Sequence, residues 1–405
     1  MNLPIPAIAV TSLTATTCAG RGNAALWQAL AQQTPCLKPN DFLDLDLPTW
    51  IGEVDGLADV RLPAPLAGYD CRNNRLALLG LQADGFEQAV RAAAMRFGAA
   101  RVGVFLGTSS SGVLQTELAY RRRDAATGAL PADFNYGGTH NSYSVAGFVR
   151  ALFGLTGPAH VISSACSSSA KVFCSAERML RLGLIDAAVV GGVDSLCLTT
   201  LCGFHSLELT STRPCRPGGV DRDGISIGEA AAFALLQRRD ASLSGDEVFL
   251  RGYGESSDAH HMSSPHPQGL GAQLAMRAAL ERAGVARERI GYVNLHGTAT
   301  PNNDAAEGIA VAEVLGSQVP CSSTKGLTGH TLGAAGAVEA VISMLALRHQ
   351  AIPGGMNTEE LDPAIAVAYE LCTRAAPLEF ALSNSFGFGG SNCSLLFGTA
   401  QGLAS

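Results

Sequence analysis

Short, continuous apolar runs recur along the chain between longer stretches whose apolar positions repeat every three or four residues. That pattern predicts buried strands alternating with helices. Ile8 to Leu13, Arg101 to Leu106, His160 to Ile162, Ala187 to Val193, Val248 to Tyr253, Arg289 to Leu295 and Cys393 to Phe397 read as strands. Ile225 to Leu236 is a further apolar run. Asn23 to Gln33, a long tract from Asn74 to Phe97, Val172 to Leu180, Ala272 to Ala283, Asp304 to Leu315 and Gly333 to Leu347 read as helices. Alternating elements with glycine-rich turns imply a mostly parallel sheet covered on both faces. Asp41 to Ala67, rich in Asp, Pro and Gly, reads as an irregular excursion. Arg238 to Asp246 is the most polar break in the middle of the chain, dividing it into a longer half, 1–246, and a shorter one, 247–405.

Composition narrows the classes open to such a chain. Of 405 residues, 47% are hydrophobic, 46 are glycine and only 16% are charged, so a large, closely packed interior is expected. A net charge of −7 argues against nucleic acid as the main partner. An acidic protein partner would need local basic patches. Arg121-Arg122-Arg123 is one, although such triplets are more often solvated helix faces. The eleven cysteines contain no CxxC spacing and mostly sit in apolar runs, which reads as reduced thiols, not a disulfide framework or metal site. The N-terminus lacks the basic start of a signal peptide, and no apolar run reads as a transmembrane helix. A soluble, cytoplasmic protein without membrane insertion is the expectation.

Four stretches carry candidate chemistry. In the first, small residues surround Cys166 between a strand and a helix, an arrangement in which helix N–H groups favour thiolate and lower the sulfur's pKa. A buried core cysteine is the competing reading. In the second, His296 ends a strand and precedes a glycine, placed to face a cleft; Thr298 and Thr300 follow, able to bond an amide-bearing ligand or their own backbone. Asp304 and Glu307 have capping-box spacing and read as a helix start. In the third, Lys325 and His330 precede a helix almost wholly small and apolar, inside which Glu339 sits. A buried carboxylate needs a partner, and Lys325 is the nearest cation in sequence. In the fourth, Phe388 lies among three glycines that permit a pliable loop, as a gate requires, or a plain hairpin turn. The turn Thr108 to Ser111 after a strand reads as a simple turn.

With SSACSSSAK around Cys166, NLHGTATPNNDAAE around His296, SSTKGLTGHTLGAAGAVEA around His330 and NSFGFGGSN around Phe388, the chain resembles the β-ketoacyl-acyl-carrier-protein synthases of the thiolase superfamily over essentially its whole length. The resemblance implies a five-layered αβαβα fold of two similar halves, and a homodimer or a heterodimer with a ketosynthase-like subunit. It implies Cys166 as acyl acceptor, with Cys166 and Phe388 N–H groups as oxyanion hole and Phe388 as gate. His296 and His330 would serve decarboxylation, with Lys325 and Glu339 orienting His330. Thr298 and Thr300 match phosphopantetheine contacts, and Phe386 a substrate contact. Ser110 falls where the acyl tunnel narrows, and Tyr136 where a partner subunit reaches in. Arg72, Arg75, Arg121, Arg122 and Arg123 are weak candidates for docking an acyl carrier protein. No metal or cofactor is implied, the substrates riding on the carrier's phosphopantetheine arm. A hydroxyl-bearing turn at the tunnel and a thin basic surface suggest a specialised pathway, such as polyene or polyketide synthesis. A coenzyme A-dependent thiolase and a non-catalytic chain-length subunit are the competing classes. His205, His260, His261 and His266 receive no role.

Overall fold

The protein is described from a computed structural model, which covers residues 5–238 and 247–400. In chain order its main elements are β1 (Ile8–Thr17), α1 (Arg72–Leu81), β2 (Val102–Gly107), α2 (Ser144–Phe153), β3 (Ala159–Ile162) and α3 (Ser168–Arg181). Then come β4 (Ala187–Asp194), α4 (Leu198–Ser206), β5 (Ala230–Arg238), β6 (Val248–Ser257), α5 (Leu270–Ala283) and β7 (Ile290–Asn294). The chain continues through α6 (Pro301–Leu315), β8 (Pro320–Ser322), α7 (Ala335–His349), β9 (Ala368–Tyr369), β10 (Phe380–Gly387) and β11 (Ser391–Gly398).

Continuous apolar runs form these strands because both faces are buried. In β5, Ala230, Ala232, Ala234 and Leu236 face one core, while Ala231, Phe233 and Leu235 face another. Side chains alternate across a strand, so a strand covered on both faces shows no polar alternation. The strands join in the order β9-β8-β7-β10-β11-β6-β1-β5-β4-β2-β3. Numbered within each half, both sides read 3-2-4-5-1 towards the antiparallel β1–β6 seam, with β9 added at one edge. In each half four strands run one way and the fifth, β5 or β11, runs against them.

Three cores separate five layers. α1, α2 and the helix Phe86–Phe97 cover the outer face of one half-sheet. α5 and α6 cover the outer face of the other. Between the half-sheets lie α3 and α7, whose apolar residues share one core with β1, β4, β5, β6 and β11. This is the thiolase-like αβαβα arrangement. It presents the starts of α3 and α7 to the same side of the molecule as the C-terminal ends of β2, β4, β7 and β10.

Several expectations change. The tract from Asn74 to Phe97 is two helices, because Asp84 (φ 52°) and Gly85 (φ 71°) turn the chain through the left-handed region. The Ile225 to Leu236 run starts as a strand only at Ile227–Gly228, with β5 following. Of the polar boundary, only Arg238 lies within the described residues. Leu332–His349, at a mean hydropathy of 1.2, is long and apolar enough to cross a membrane, contrary to expectation; 89% of it is buried, as the central helix of a core.

Candidate active site

The nucleophile candidate sits on a tight turn between β3 and α3. Ala165 adopts φ 51°, a left-handed conformation costly for a residue with a Cβ, and this turns Cys166 out of the strand direction. Hydroxyls hold the turn: Ser164 N–H donates to Ser168 Oγ (2.8 Å), and Ser167 Oγ bonds Ser164 O (3.0 Å) and Ser391 Oγ (3.3 Å). Gly107 ends β2 beneath it, where a Cβ would meet the Ser169 nitrogen at 2.3 Å, so only glycine lets α3 come this close.

Three reactive groups from distant parts of the chain meet there. His330 Nε2 lies 3.0 Å from Cys166 Sγ. The His296 and His330 rings meet edge to face, 5.4 Å between centroids. One ligand atom from each of Cys166, His296 and His330 lies within 4.8 Å of the others. All three are buried and line one cavity of about 310 Å³, together with Thr298, Thr300, Phe386 and Phe388.

Neighbouring groups fix both imidazoles. The Leu332 N–H donates to His330 Nδ1 (3.3 Å), which assigns the neutral ring's proton to Nε2. Lys325 and Glu339, expected to orient His330, instead hold His296: Lys325 Nζ is 3.4 Å from His296 Nδ1, donates to the His296 carbonyl and pairs with Glu339, so His296 also keeps its proton on Nε2. Two N–H donors are thereby available to one oxygen atom in the cavity. Glu307 supports the His296 turn from below: its carboxylate accepts the His296 and Gly297 N–H groups, each at 2.8 Å, and Asn384 Nδ2 at 3.2 Å. The capping-box reading of Asp304 and Glu307 is therefore corrected. α6 starts at Pro301 without a side-chain cap, and Asp304 turns inward to accept the Gly218 N–H at 2.9 Å.

Burial dominates the electrostatics. It holds both histidines well below the ordinary imidazole range, helped by the Lys325 charge, so both are neutral at physiological pH. Burial also pushes Glu307 and Glu339 up to about 7, against the pull of the N–H donors and of Lys325 respectively. The Cys166 thiol is pushed up to about 11; Lys325 and the Phe388 N–H pull it down, but less. This reverses the expected lowering by the helix: two residues before α3, desolvation outweighs the N-terminal field.

Phe388 belongs to a short turn closed by Gly389 (φ 80°) and Gly390 (φ 72°). Its ring rests against Phe204 of α4, 5.7 Å between centroids. The turn is held from outside, where Gly389 N–H donates to Met262 O (2.7 Å) and Asp258 N–H to Gly390 O (2.9 Å).

Other residues singled out by sequence lie elsewhere. Thr298 and Thr300 hydroxyls are 2.8 Å apart at the cavity wall. Ser110 does not line the cavity: its hydroxyl is tied to Asp194 at 2.7 Å. Tyr136 is 55% exposed, away from this chain's own cavity, with its ring 5.2 Å from that of His140. Arg72 is half-buried and bound to Glu229 and Glu53, so it is not free for docking. Arg75 is paired with Asp70, and Arg122 with Asp133; Arg121 and Arg123 are exposed. Sequence reasoning missed Asp194 and Asn384. A lone carboxylate ending the otherwise apolar run AAVVGGVD was the available signal for the first.

Comparison with known proteins agrees with this geometry. The family described as β-ketoacyl synthase, N-terminal domain, matches residues 76–242, and that described as β-ketoacyl synthase, C-terminal domain, matches 248–359. The chain is similar to 3-oxoacyl-[acyl-carrier-protein] synthase 2 of Vibrio cholerae, 37% identical over 315 residues, 74% of this chain and 76% of that protein. It is 32% identical to 3-oxoacyl-[acyl-carrier-protein] synthase 2 of Coxiella burnetii over 398 residues, 92% and 93% of the two. Among solved structures, a ketosynthase in complex with its chain length factor from Xenorhabdus doucetiae aligns with TM-score 0.88 at 35% identity, covering 97% of this chain and 98% of that one. Fold and site together define a condensing enzyme that transfers an acyl group and forms a carbon–carbon bond. The chain belongs to the β-ketoacyl synthase family.

Proposed function

We propose that this chain is an elongating β-ketoacyl-acyl-carrier-protein synthase, working by decarboxylative Claisen condensation. The observation that carries the reading is the meeting of one thiol and two neutral, Nε2-protonated imidazoles in a single buried cavity. In the first half-reaction Cys166 Sγ attacks the thioester carbonyl of an acyl carrier. The Cys166 and Phe388 N–H groups receive the oxyanion, the carrier thiol departs, and the Cys166 proton goes to it. Each such donor contributes on the order of a hundredfold or more in rate. In the second, malonyl carrier loses CO₂ while His296 and His330 Nε2–H groups bind its thioester oxygen and stabilise the enolate. The enolate carbon attacks the acyl-cysteine carbonyl, the Cys166–acyl bond breaks, the released thiolate takes up a proton from solvent, and a 3-oxoacyl carrier longer by two carbons leaves. No organic cofactor takes part, and the partners are an acyl carrier protein and a second ketosynthase-like subunit in a cytoplasmic assembly.

Two observations weigh against the competing classes. A thiolase needs a second reactive cysteine by the glycine-rich loop, but Cys393 faces the core, its sulfur 3.7 Å from that of Cys174. A non-catalytic subunit has no use for an intact Cys166, His296 and His330. A finer reading is a specialised pathway whose acyl chain is more polar, unsaturated or aryl-ended than a saturated one. It rests on the resemblance alone, by which Tyr136, exposed in this chain, falls where a partner subunit reaches in; the hydroxyls of the turn at 108–110 are engaged by Asp194 and lend it no support. Equal or faster elongation of saturated medium-length acyl carriers than of polyenoyl ones contradicts it. The reaction class is tested by intact-protein mass spectrometry after incubation with acyl carrier. One acyl adduct is expected, absent in Cys166→Ala; an adduct persisting in that variant rejects Cys166 as acceptor.

A further inference from the structure

β4 ends in a fully buried carboxylate, Asp194, that no step above uses. Its oxygens accept Thr108 Oγ1 (2.7 Å), Ser109 N–H (2.9 Å), Ser109 Oγ (2.6 Å), Ser110 N–H (2.8 Å) and Ser110 Oγ (2.7 Å) from the turn after β2. One further donor comes from the other half of the chain: Gly333 N–H, at 2.5 Å from Oδ2. Every partner is a donor, and both oxygens act purely as acceptors, as a carboxylate's do. Gly333 belongs to the single turn Leu332–Ala334 that links His330 to α7. A Cβ there would meet Asp194 Oδ2 at 2.6 Å, so glycine is required for this approach. The residue immediately before Gly333 supplies the N–H that bonds His330 Nδ1.

We propose that Asp194 is a positioning residue for His330. It pins Gly333, and with it the Leu332 N–H, so that His330 holds its proton on Nε2 and points it at the reacting atoms. The hydroxyl-rich turn at 108–110 is thereby explained as the other side of the same clamp, joining the two halves of the fold behind the nucleophile. Asp194 also acts through space, its charge opposing ionisation of Cys166. The inference rests on the condensing role of His330, but its main readout does not depend on turnover.

The test is Asp194→Asn, examined by ¹⁵N NMR with labelled histidine, the His330 resonances assigned by their loss in His330→Ala. Asparagine keeps the shape but replaces one acceptor oxygen by a donor. The expected result is a shift of His330 from Nε2–H alone to a mixture of tautomers, with kcat reduced on the order of tenfold to a hundredfold and KM little changed. An unchanged His330 tautomer overturns the proposal, whether or not kcat falls, since a fall without it is a merely structural effect. If Asp194→Asn does not fold, Ser109→Ala decides by the same spectrum: it removes the hydroxyl that bonds both Asp194 and Gly333 N–H. A wild-type protein that gives no condensation product would sink the proposed reaction instead, leaving the tautomer result to stand alone.

Discussion

A thiol pushed up to about 11 makes a direct prediction for Cys166. Only the thiolate is alkylated, and at pH 8 it is about one part in a thousand of the population. Iodoacetamide labelling of Cys166 should therefore climb roughly tenfold per pH unit from neutral and show no plateau below pH 10. A plateau near pH 7 or 8, read by peptide mass spectrometry, contradicts the burial argument. Both histidines are already neutral, so raising the pH through 6.5 should not itself switch activity on; an inflection of kcat there assigned to His296 or His330 contradicts their assignment. The chemical residues were legible from sequence because each sits at a strand or helix end among small residues. Glu307 and Asp194 were not. Glu307 has the spacing of a cap, and nothing local says that it faces back to His296, eleven positions earlier. Asp194 meets Gly333 across 139 positions.

At the scale of elements, Lys325 and Glu339 tie the short helix before His330 to the middle of α7. Lys325→Met leaves a buried carboxylate without its cation and should cost about 3–5 kcal/mol in chemical denaturation. Adding Glu339→Leu removes the charge as well, and should recover most of that stability while activity remains lost. A single variant as stable as wild type contradicts the buried pair. A second test lies where β6 meets α5: a Cβ on Gly254 would meet the Ala275 carbonyl at 1.8 Å. Gly254→Ala should lower stability by about 1–3 kcal/mol, and an unchanged denaturation midpoint contradicts that contact. The apolar helix around Glu339 was readable because its burial on all sides removes any polar stripe. The break at Asp84–Gly85 was not, because the apolar rhythm continues across it. It is Asp84's bonds to Thr14 and the Asn23 N–H that fix the turn, and those partners lie some sixty residues or more away.

For the whole molecule, the repeated strand order explains why the site lies between halves: each contributes one central helix, Cys166 and His330 sit at their facing starts, and His296 joins them from the end of β7. The sequence shows no obvious repeat, since two sheets of the same order can be filled by different apolar residues. The five-layer fold was reached through resemblance, not periodicity. Carrier docking belongs to this scale too. Of the five candidate arginines, Arg72, Arg75 and Arg122 are paired with carboxylates, and Arg121 and Arg123 are exposed, which makes these two the ones to test against an acidic carrier. Arg121→Glu with Arg123→Glu should raise KM for malonyl carrier at low salt, leave kcat unchanged, and lose its effect at high salt. An unaltered KM places docking elsewhere. The most direct test of the account is product analysis by mass spectrometry after supplying an acyl carrier and malonyl carrier together. Wild type should release CO₂ and yield the 3-oxoacyl carrier two carbons longer, while Cys166→Ala, His296→Ala and His330→Ala each lose at least most of that product. Extension at the wild-type rate by any of the three variants would contradict a single reaction centre built from all of them.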